Sequence, residues 1–141
     1  MLFRSVLNGV NYRDPINGYR AYVDVDSWID HSILNVLACN VDALRLSAYF
    51  YKERQGKIGY GPIWDFDRAL GSTDGRDATP RGWGSSGGNE FFSYPWWSRV
   101  FSDVDFWQVW VDRWQDLRGA QFAWTNLNAL MDFYIEQVRL A

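Results

Sequence analysis

Strand-forming residues are concentrated in one short stretch of this chain, and that restriction limits the possible folds more than any other feature. Residues 47–53 are rich in aromatic side chains and indicate a strand, residues 54–57 form a turn, and residues 57–60 indicate a returning strand. Elsewhere, apolar residues recur at helical spacing. Helices are expected near residues 27–39, 103–118 and 125–139. The sequence therefore predicts an α+β fold that is mostly helical, with one small β-hairpin.

Polar residues mark where the helices should begin. Ser27 with Asp30 three residues later resembles a capping box, with Asp in place of the usual Glu. Asp103 and Thr125 precede the two later apolar stripes and are predicted to cap those helices.

Two carboxylates follow the predicted hairpin closely, in the segment from Gly61 to Gly71. If the chain is extended there, Asp65 and Asp67 share one face, roughly 6–7 Å apart, with Phe66 on the other. Hard oxygen ligands at this spacing suit Mg²⁺ or Ca²⁺, and such an ion commonly has phosphate or water as its remaining ligands. The same pattern also occurs where acidic residues only close turns.

Composition narrows the class of protein. A chain of 141 residues suits one compact domain, and its net charge of −3 argues against a nucleic-acid partner. Aromatic residues make up 18% of the chain, more than a small core readily buries, so some rings should lie on the surface. The single cysteine, Cys39, excludes an internal disulfide, and no run resembles a membrane span or a signal peptide.

The order of these features matches the larger lobe of protein kinases. There, a helix leads into a loop whose Asp accepts the substrate hydroxyl proton, and a hairpin then delivers a metal-binding Asp. In this chain Asp42 follows the first long helix and Asp65 follows the hairpin. Ser47 lies five residues after Asp42, where kinases place a metal-binding Asn. We therefore expect Asp42 and Asp65 to converge on one cleft.

Several motifs together resemble the CotH family of spore-coat-type atypical protein kinases. The resemblance covers roughly residues 19–118 and is carried by Tyr22-Val23-Asp24-Val25-Asp26-Ser27-Trp28-Ile29-Asp30, Asn40-Val41-Asp42-Ala43-Leu44-Arg45-Leu46-Ser47, Tyr49-Phe50-Tyr51-Lys52, Gly61-Pro62-Ile63-Trp64-Asp65-Phe66-Asp67 and Trp96-Trp97. It implies a kinase-like fold that binds ATP with Mg²⁺, Mn²⁺ or Ca²⁺ and phosphorylates Ser or Thr of partner proteins. It also implies that Asp42 is the catalytic aspartate, that Asp65 binds metal, and that Asp67 and Ser47 lie beside metal and phosphates.

The resemblance also implies a domain organisation. Residues 1–18 would be a remnant of, or connection to, a smaller N-terminal lobe that covers the nucleotide. Residues 19–141 would be the C-terminal lobe, with a flexible Gly-rich loop at 71–90. The expected partners are a protein with Ser or Thr acceptors and the N-terminal lobe of a longer chain, and without that lobe phosphate transfer should be weak. The sequence does not determine the location; the resemblance implies a spore coat, a cell surface or secretion for the full-length protein.

Other interpretations remain open from the residues alone. Arg45 and Arg68 suit either solvated positions or phosphate and carboxylate partners in the cleft. His31 and Cys39 suit structural positions. A non-catalytic coat-assembly module could keep the same core without activity, and paired acids beside aromatic rings also suit carbohydrate cleavage.

Overall fold

The computed structural model describes residues 2–71, 75–79, 91–94 and 96–140. It divides the chain into two compact units, Met1–Trp107 and Gln108–Ala141. The fold is α+β, and most of its regular structure is helical, as predicted. The elements in chain order are α1 (Leu2–Asn8), a 3₁₀ turn (Tyr19–Ala21), α2 (Val25–Leu37), β1 (Phe50–Lys52), β2 (Ile58–Tyr60), α3 (Trp97–Phe101), α4 (Val104–Gly119) and α5 (Trp124–Arg139).

The predicted hairpin is confirmed, with strands shorter than the sequence indicates. Strands β1 and β2 pair antiparallel, with Phe50 opposite Tyr60 and Lys52 opposite Ile58. Ile58 also forms a parallel bridge with Val23, just before α2. The hairpin is thereby attached to the start of α2.

The three long helices are confirmed, but two of the predicted caps are wrong. Helix α2 begins at Val25 because Asp24 caps it, accepting a hydrogen bond from Ser27 N at 3.4 Å. Ser27 is therefore inside the helix, and its hydroxyl donates back to Asp24 O at 2.9 Å. Thr125 likewise lies inside α5, which follows Ala123 as its capping position. Asp103 does precede α4 and accepts from Asp105 N at 3.2 Å, as expected of a cap.

The core of the first unit is built largely from aromatic rings, and Trp28 of α2 lies at its centre. This side chain is fully buried, with ring centroids 5.4 Å from Phe50, 6.0 Å from Tyr60 and 5.1 Å from Trp97. Its Nε1 donates to Ile58 O at 2.9 Å. One residue therefore joins α2, the hairpin and α3, which fixes where the hairpin ends and where the Asp65 segment starts.

The second unit contains most of α4 and all of α5. Within it, Trp114 stacks on Trp110 with centroids 6.2 Å apart and contacts Phe122 at 6.2 Å. Helix α5 has no buried residue, and Trp124, Phe133 and Tyr134 are exposed.

Among the residues that the structure describes, no helix is both long and apolar enough to span a membrane.

Candidate functional site

Asp42 lies in a tight turn that follows α2. The chain leaves the helix through Cys39, whose φ is 52°, and turns again at Leu44, whose φ is 62°. The carbonyl of Asp42 accepts from Leu46 N at 2.9 Å and from Ser47 N at 3.1 Å. These bonds close the turn and place Ser47 directly against the main chain of Asp42.

Three guanidinium groups surround the carboxylate of Asp42, whose side chain is only 12% exposed. Arg68 Nη1 lies 3.2 Å from Oδ2, whereas Arg45 Nη2 and Arg76 Nη2 lie 3.3 and 3.7 Å from Oδ1. The two arginines predicted as phosphate contacts, Arg45 and Arg68, are therefore found at Asp42. Arg76 was not predicted.

Ser47 connects the Asp42 turn to the segment that follows the hairpin. Its hydroxyl donates to Asp65 Oδ2 at 3.0 Å, while its main-chain N–H donates to Asp42 O. The structure therefore brings Asp42, Ser47 and Asp65 into one neighbourhood. Asp67 lies in the turn after Asp65, with an exposed side chain.

Asp65 adopts a left-handed conformation, with φ at 63°. The segment is therefore not extended at this point, and the alternation of a strand does not place Asp67 on the same face as Asp65. Asn40 Nδ2 donates a hydrogen bond to Asp65 O at 3.1 Å, which stabilises this backbone conformation. Asp is one of the few residues other than Gly that tolerates left-handed backbone.

A chain of buried amide groups connects Asp65 to helix α2. Asn40 Nδ2 also donates to Asn35 Oδ1 at 3.1 Å, and Asn35 Nδ2 donates to His31 Nδ1 at 2.7 Å. Burial lowers the pKa of His31 below its usual value, which favours the neutral ring that can accept this bond. His31 is buried and stacks on Tyr60 with centroids 3.7 Å apart, which agrees with the structural position expected for it.

Asp65 and Ser47 together could supply ligands to a divalent cation. A carboxylate and a hydroxyl oxygen 3.0 Å apart are hard donors of the type that Mg²⁺ prefers. Within the described ranges, no three His, Cys, Asp or Glu residues group closely enough to hold a metal by themselves. The donor set therefore fits an ion completed by phosphate or water, and does not provide a cage made only of protein side chains.

Sequence reasoning missed Arg76 and the role of Asn40. Asn40 occupies a polar break between helix and turn, which indicates a loop but not a partner. Arg76 lies in a Gly-rich stretch with no periodicity, so no local pattern predicts its contact with Asp42. Residues 72–74 and 80–90 of the expected loop at 71–90 lie outside the described residues.

Comparison with known families places the chain in a kinase-like class. The sequence model described as CotH kinase protein matches residues 2–141. The chain therefore belongs to the CotH family, and the match extends on both sides of the 19–118 resemblance. No curated protein and no solved structure matches the chain.

Proposed function

We propose that this chain is the catalytic lobe of a CotH-type protein kinase that transfers the γ-phosphoryl group of ATP to Ser or Thr of a coat or surface protein. One observation carries the proposal. Ser47 contacts both the main chain of Asp42 and the carboxylate of Asp65, so a candidate base and a candidate metal ligand lie around a shared residue. Phosphoryl transfer requires few protein groups, but the base and the metal ligands must lie around the same phosphate.

Asp42 is the proposed base. The acceptor hydroxyl oxygen forms the new bond to the γ-phosphorus, the bond to the β,γ-bridging oxygen breaks, and ADP leaves. The hydroxyl proton passes to a carboxylate oxygen of Asp42. Arg45 and Arg68, which pair with Asp42, would balance the negative charge of the phosphates.

Asp65, Ser47 and Asp67 are the proposed ligands of a divalent cation. Asp65 and Ser47 fit this role by donor type and by their contact, and Asp67 adds an exposed carboxylate in the following turn. When bound, Mg²⁺ or Mn²⁺ would neutralise charge that develops on the phosphates.

Transfer from γ-labelled ATP to a Ser-rich acceptor protein, with Mg²⁺ or Mn²⁺, tests the proposal. Asp42→Asn and Asp65→Ala should each lower the transfer rate by about 100-fold or more, the scale of losing a base or a charge-stabilising group. Asp132→Ala changes an exposed carboxylate on α5 and should leave the rate unchanged. Equal rates in Asp42→Asn and in the unmodified protein would contradict the assignment of the base.

A second candidate is a non-catalytic coat-assembly module. One observation favours it: three guanidinium groups already engage the carboxylate of Asp42, which competes with proton transfer. Such a module should bind its partner without transferring label under any of these conditions, and Asp42→Asn should leave partner binding intact.

A further inference from the structure

A cavity of about 550 Å³ lies between helix α2 and the hairpin, within the first unit. Its surface is almost entirely apolar, and its volume is in the range of small-molecule sites. The proposed catalytic and metal-binding residues do not line it, so it is a separate site in the fold. Its main walls come from one face of α2 and from the hairpin with the segment that follows, and include Ser27, His31, Leu34, Tyr51, Tyr60 and Ile63.

The ring of Tyr51 forms one wall of the cavity, and the hairpin fixes its position. Tyr51 pairs with Gly59 on the neighbouring strand, and a side chain at Gly59 would collide with Cζ of Tyr51. Because glycine leaves this space empty, the ring lies across the neighbouring strand. Tyr51 is 51% exposed and lines the cavity, so its ring is available to a bound molecule.

Two stacked rings, those of His31 and Tyr60, line the cavity on its buried side. Their centroids are 3.7 Å apart, and Phe50 stacks on Tyr60 with centroids 4.6 Å apart. His31 and Tyr60 are each only 4% exposed. These rings are therefore held in place before any ligand binds, which reduces the entropic cost of binding.

The hydrogen bonds around His31 determine which of its ring nitrogens carries the proton. Asp65 O can only accept, so Asn40 directs its Nδ2 to it, and the same Nδ2 donates to Asn35 Oδ1. Asn35 therefore directs its Nδ2 to His31, and donates to Nδ1 at 2.7 Å and to the carbonyl oxygen at 2.8 Å. Since Nδ1 accepts, the neutral ring carries its proton on Nε2.

Nε2 of His31 is thus a buried donor, and it has no hydrogen-bond partner in the described part of the chain. The carbonyl of Pro62, another residue of the cavity wall, acts to raise the pKa of His31 against the effect of burial. Its position does not give the geometry of a hydrogen bond to Nε2. A buried donor without a partner costs free energy, which an acceptor on a bound molecule would recover.

We propose that this cavity binds a neutral, mainly apolar ring compound that carries a carbonyl oxygen, and that this oxygen accepts a hydrogen bond from His31 Nε2. The apolar walls favour the ring, and the buried donor selects the carbonyl. Asp30 also lines the cavity, and its negative charge disfavours an anion. The site goes beyond the proposed kinase function and does not depend on it, because the two sets of residues do not overlap.

Three probes of nearly the same shape test these features in titrations of the full chain followed by NMR. Acetophenone has the ring and the carbonyl, α-methylstyrene has a methylene group in place of the carbonyl oxygen, and benzoate carries a negative charge. Acetophenone should bind, α-methylstyrene should bind about fivefold more weakly, the scale of one hydrogen bond, and benzoate should not bind. Equal affinities of acetophenone and α-methylstyrene would overturn the role of His31, and a lack of acetophenone binding would overturn the site.

The ring nitrogens of His31 give a direct readout, because it is the only histidine of the chain. In protein labelled with ¹⁵N-histidine, the proton should be found on Nε2. The Nε2 signal should move on addition of acetophenone and much less on addition of α-methylstyrene, a difference that a merely structural histidine would not show. A proton on Nδ1, or an Nε2 signal that does not move at saturating acetophenone, would refute the hydrogen bond.

Variants of Tyr51 test the location. Tyr51→Ala removes one wall and should weaken acetophenone binding about tenfold, whereas Tyr51→Phe keeps the ring and should bind like the unmodified chain. Tyr49→Ala is the matched control, because Tyr49 is also 51% exposed but does not line the cavity. Equal affinities in Tyr51→Ala and Tyr49→Ala would place the probe elsewhere and overturn the proposal. If Tyr51→Ala does not fold, Ile63→Ala, at a half-exposed residue of the same cavity, decides by the same comparison.

Discussion

Ser47 illustrates how one small side chain can set the geometry of a site. Its hydroxyl donates to Asp65 and its main-chain N–H donates to Asp42, so it spans two segments separated by the hairpin. Removing the hydroxyl leaves Asp65 without this donor and removes one candidate ligand oxygen. The contact of the Asp65 carboxylate with Ser47 should therefore be lost, while Asn40 still donates to Asp65 O and Arg68 still pairs with Asp42.

Ser47→Ala should weaken Mn²⁺ binding about fivefold, the scale of one hydrogen bond or one neutral ligand. Asp65→Ala should weaken binding further, because it removes the charge. Titration with Mn²⁺, followed by the paramagnetic signal of the free ion, measures the affinity. Ser98→Ala, an exposed serine on α3, is the matched control. Equal affinities in Ser47→Ala and Ser98→Ala would contradict the role given to Ser47.

At the residue scale, the sequence predicts what local patterns encode and misses what only folding brings together. Asp42, Ser47 and Asp65 follow from the order of motifs, and in the structure Ser47 bonds to the main-chain carbonyl of Asp42 and to the carboxylate of Asp65. Arg76 could not be predicted, because its partner is distant in sequence and its own surroundings carry no periodic signal. The backbone conformation of Asp65 could not be predicted from the sequence pattern either. Its left-handed backbone breaks the alternation of an extended chain, on which the expectation that Asp65 and Asp67 share one face depended.

At the scale of the elements, helix α2 and the hairpin are joined by both packing and hydrogen bonds. Trp28 contacts rings from β1, β2 and α3, and it also donates to Ile58 O. This packing determines where the chain emerges from β2, and so the start of the Asp65 segment.

Trp28→Ala should lower the free energy of unfolding by about 3–5 kcal/mol, because a fully buried aromatic side chain is replaced by a cavity. Urea unfolding followed by circular dichroism measures the change. Trp124→Ala makes the same substitution at a side chain that is 73% exposed and should cost far less. Similar losses in both variants would show that Trp28 is not the packing centre of its unit.

The type of the long helices and of the hairpin could be predicted, because periodicity and turn residues act locally. The residue at which a helix begins could not, because neighbouring residues compete to cap it. Asp24 and Ser27 can each cap α2, and the structure uses Asp24 because Tyr22 and Asp24 are already paired with Ile58 of β2. That pairing fixes the chain just before the helix, and no sequence pattern contains it.

At the scale of the whole molecule, the aromatic side chains form two groups, one buried and one exposed. Many rings form the core of the first unit, while Trp64, Trp124 and Tyr134 are more than half exposed. The expectation that some rings would lie on the surface is therefore confirmed, and it followed from the limited volume of a small core. Which rings would be exposed could not be predicted, since buried and exposed rings both occur in helices, as Trp28 of α2 and Trp124 of α5 do.

The stability of the molecule should depend on His31 in mildly acid solution. It is the only histidine, and burial lowers its pKa below the ordinary value of 6.5. Below about pH 6.5 the unfolded chain therefore binds a proton that the folded chain resists, so the free energy of unfolding should fall as the pH is lowered through this range. The contribution of neutral His31 to stability is fully present above the pKa of His31 in the unfolded chain. It is lost as the pH falls from there towards the lower pKa of His31 in the folded chain.

Replacing His31 by Gln removes this titration, so the free energy of unfolding of His31→Gln should vary less between pH 7 and pH 5 than that of the unmodified chain. Urea unfolding at a series of pH values measures both profiles, and the carboxylates common to both proteins cancel in the difference. Because Asn35 bonds to His31 and Asn40 bonds to Asp65, protonation of the ring should also loosen the support of Asp65. Mn²⁺ binding, titrated at the same pH values, should therefore weaken more between pH 7 and pH 5 in the unmodified chain than in His31→Gln. Parallel slopes for the two proteins would contradict the titration of a buried His31.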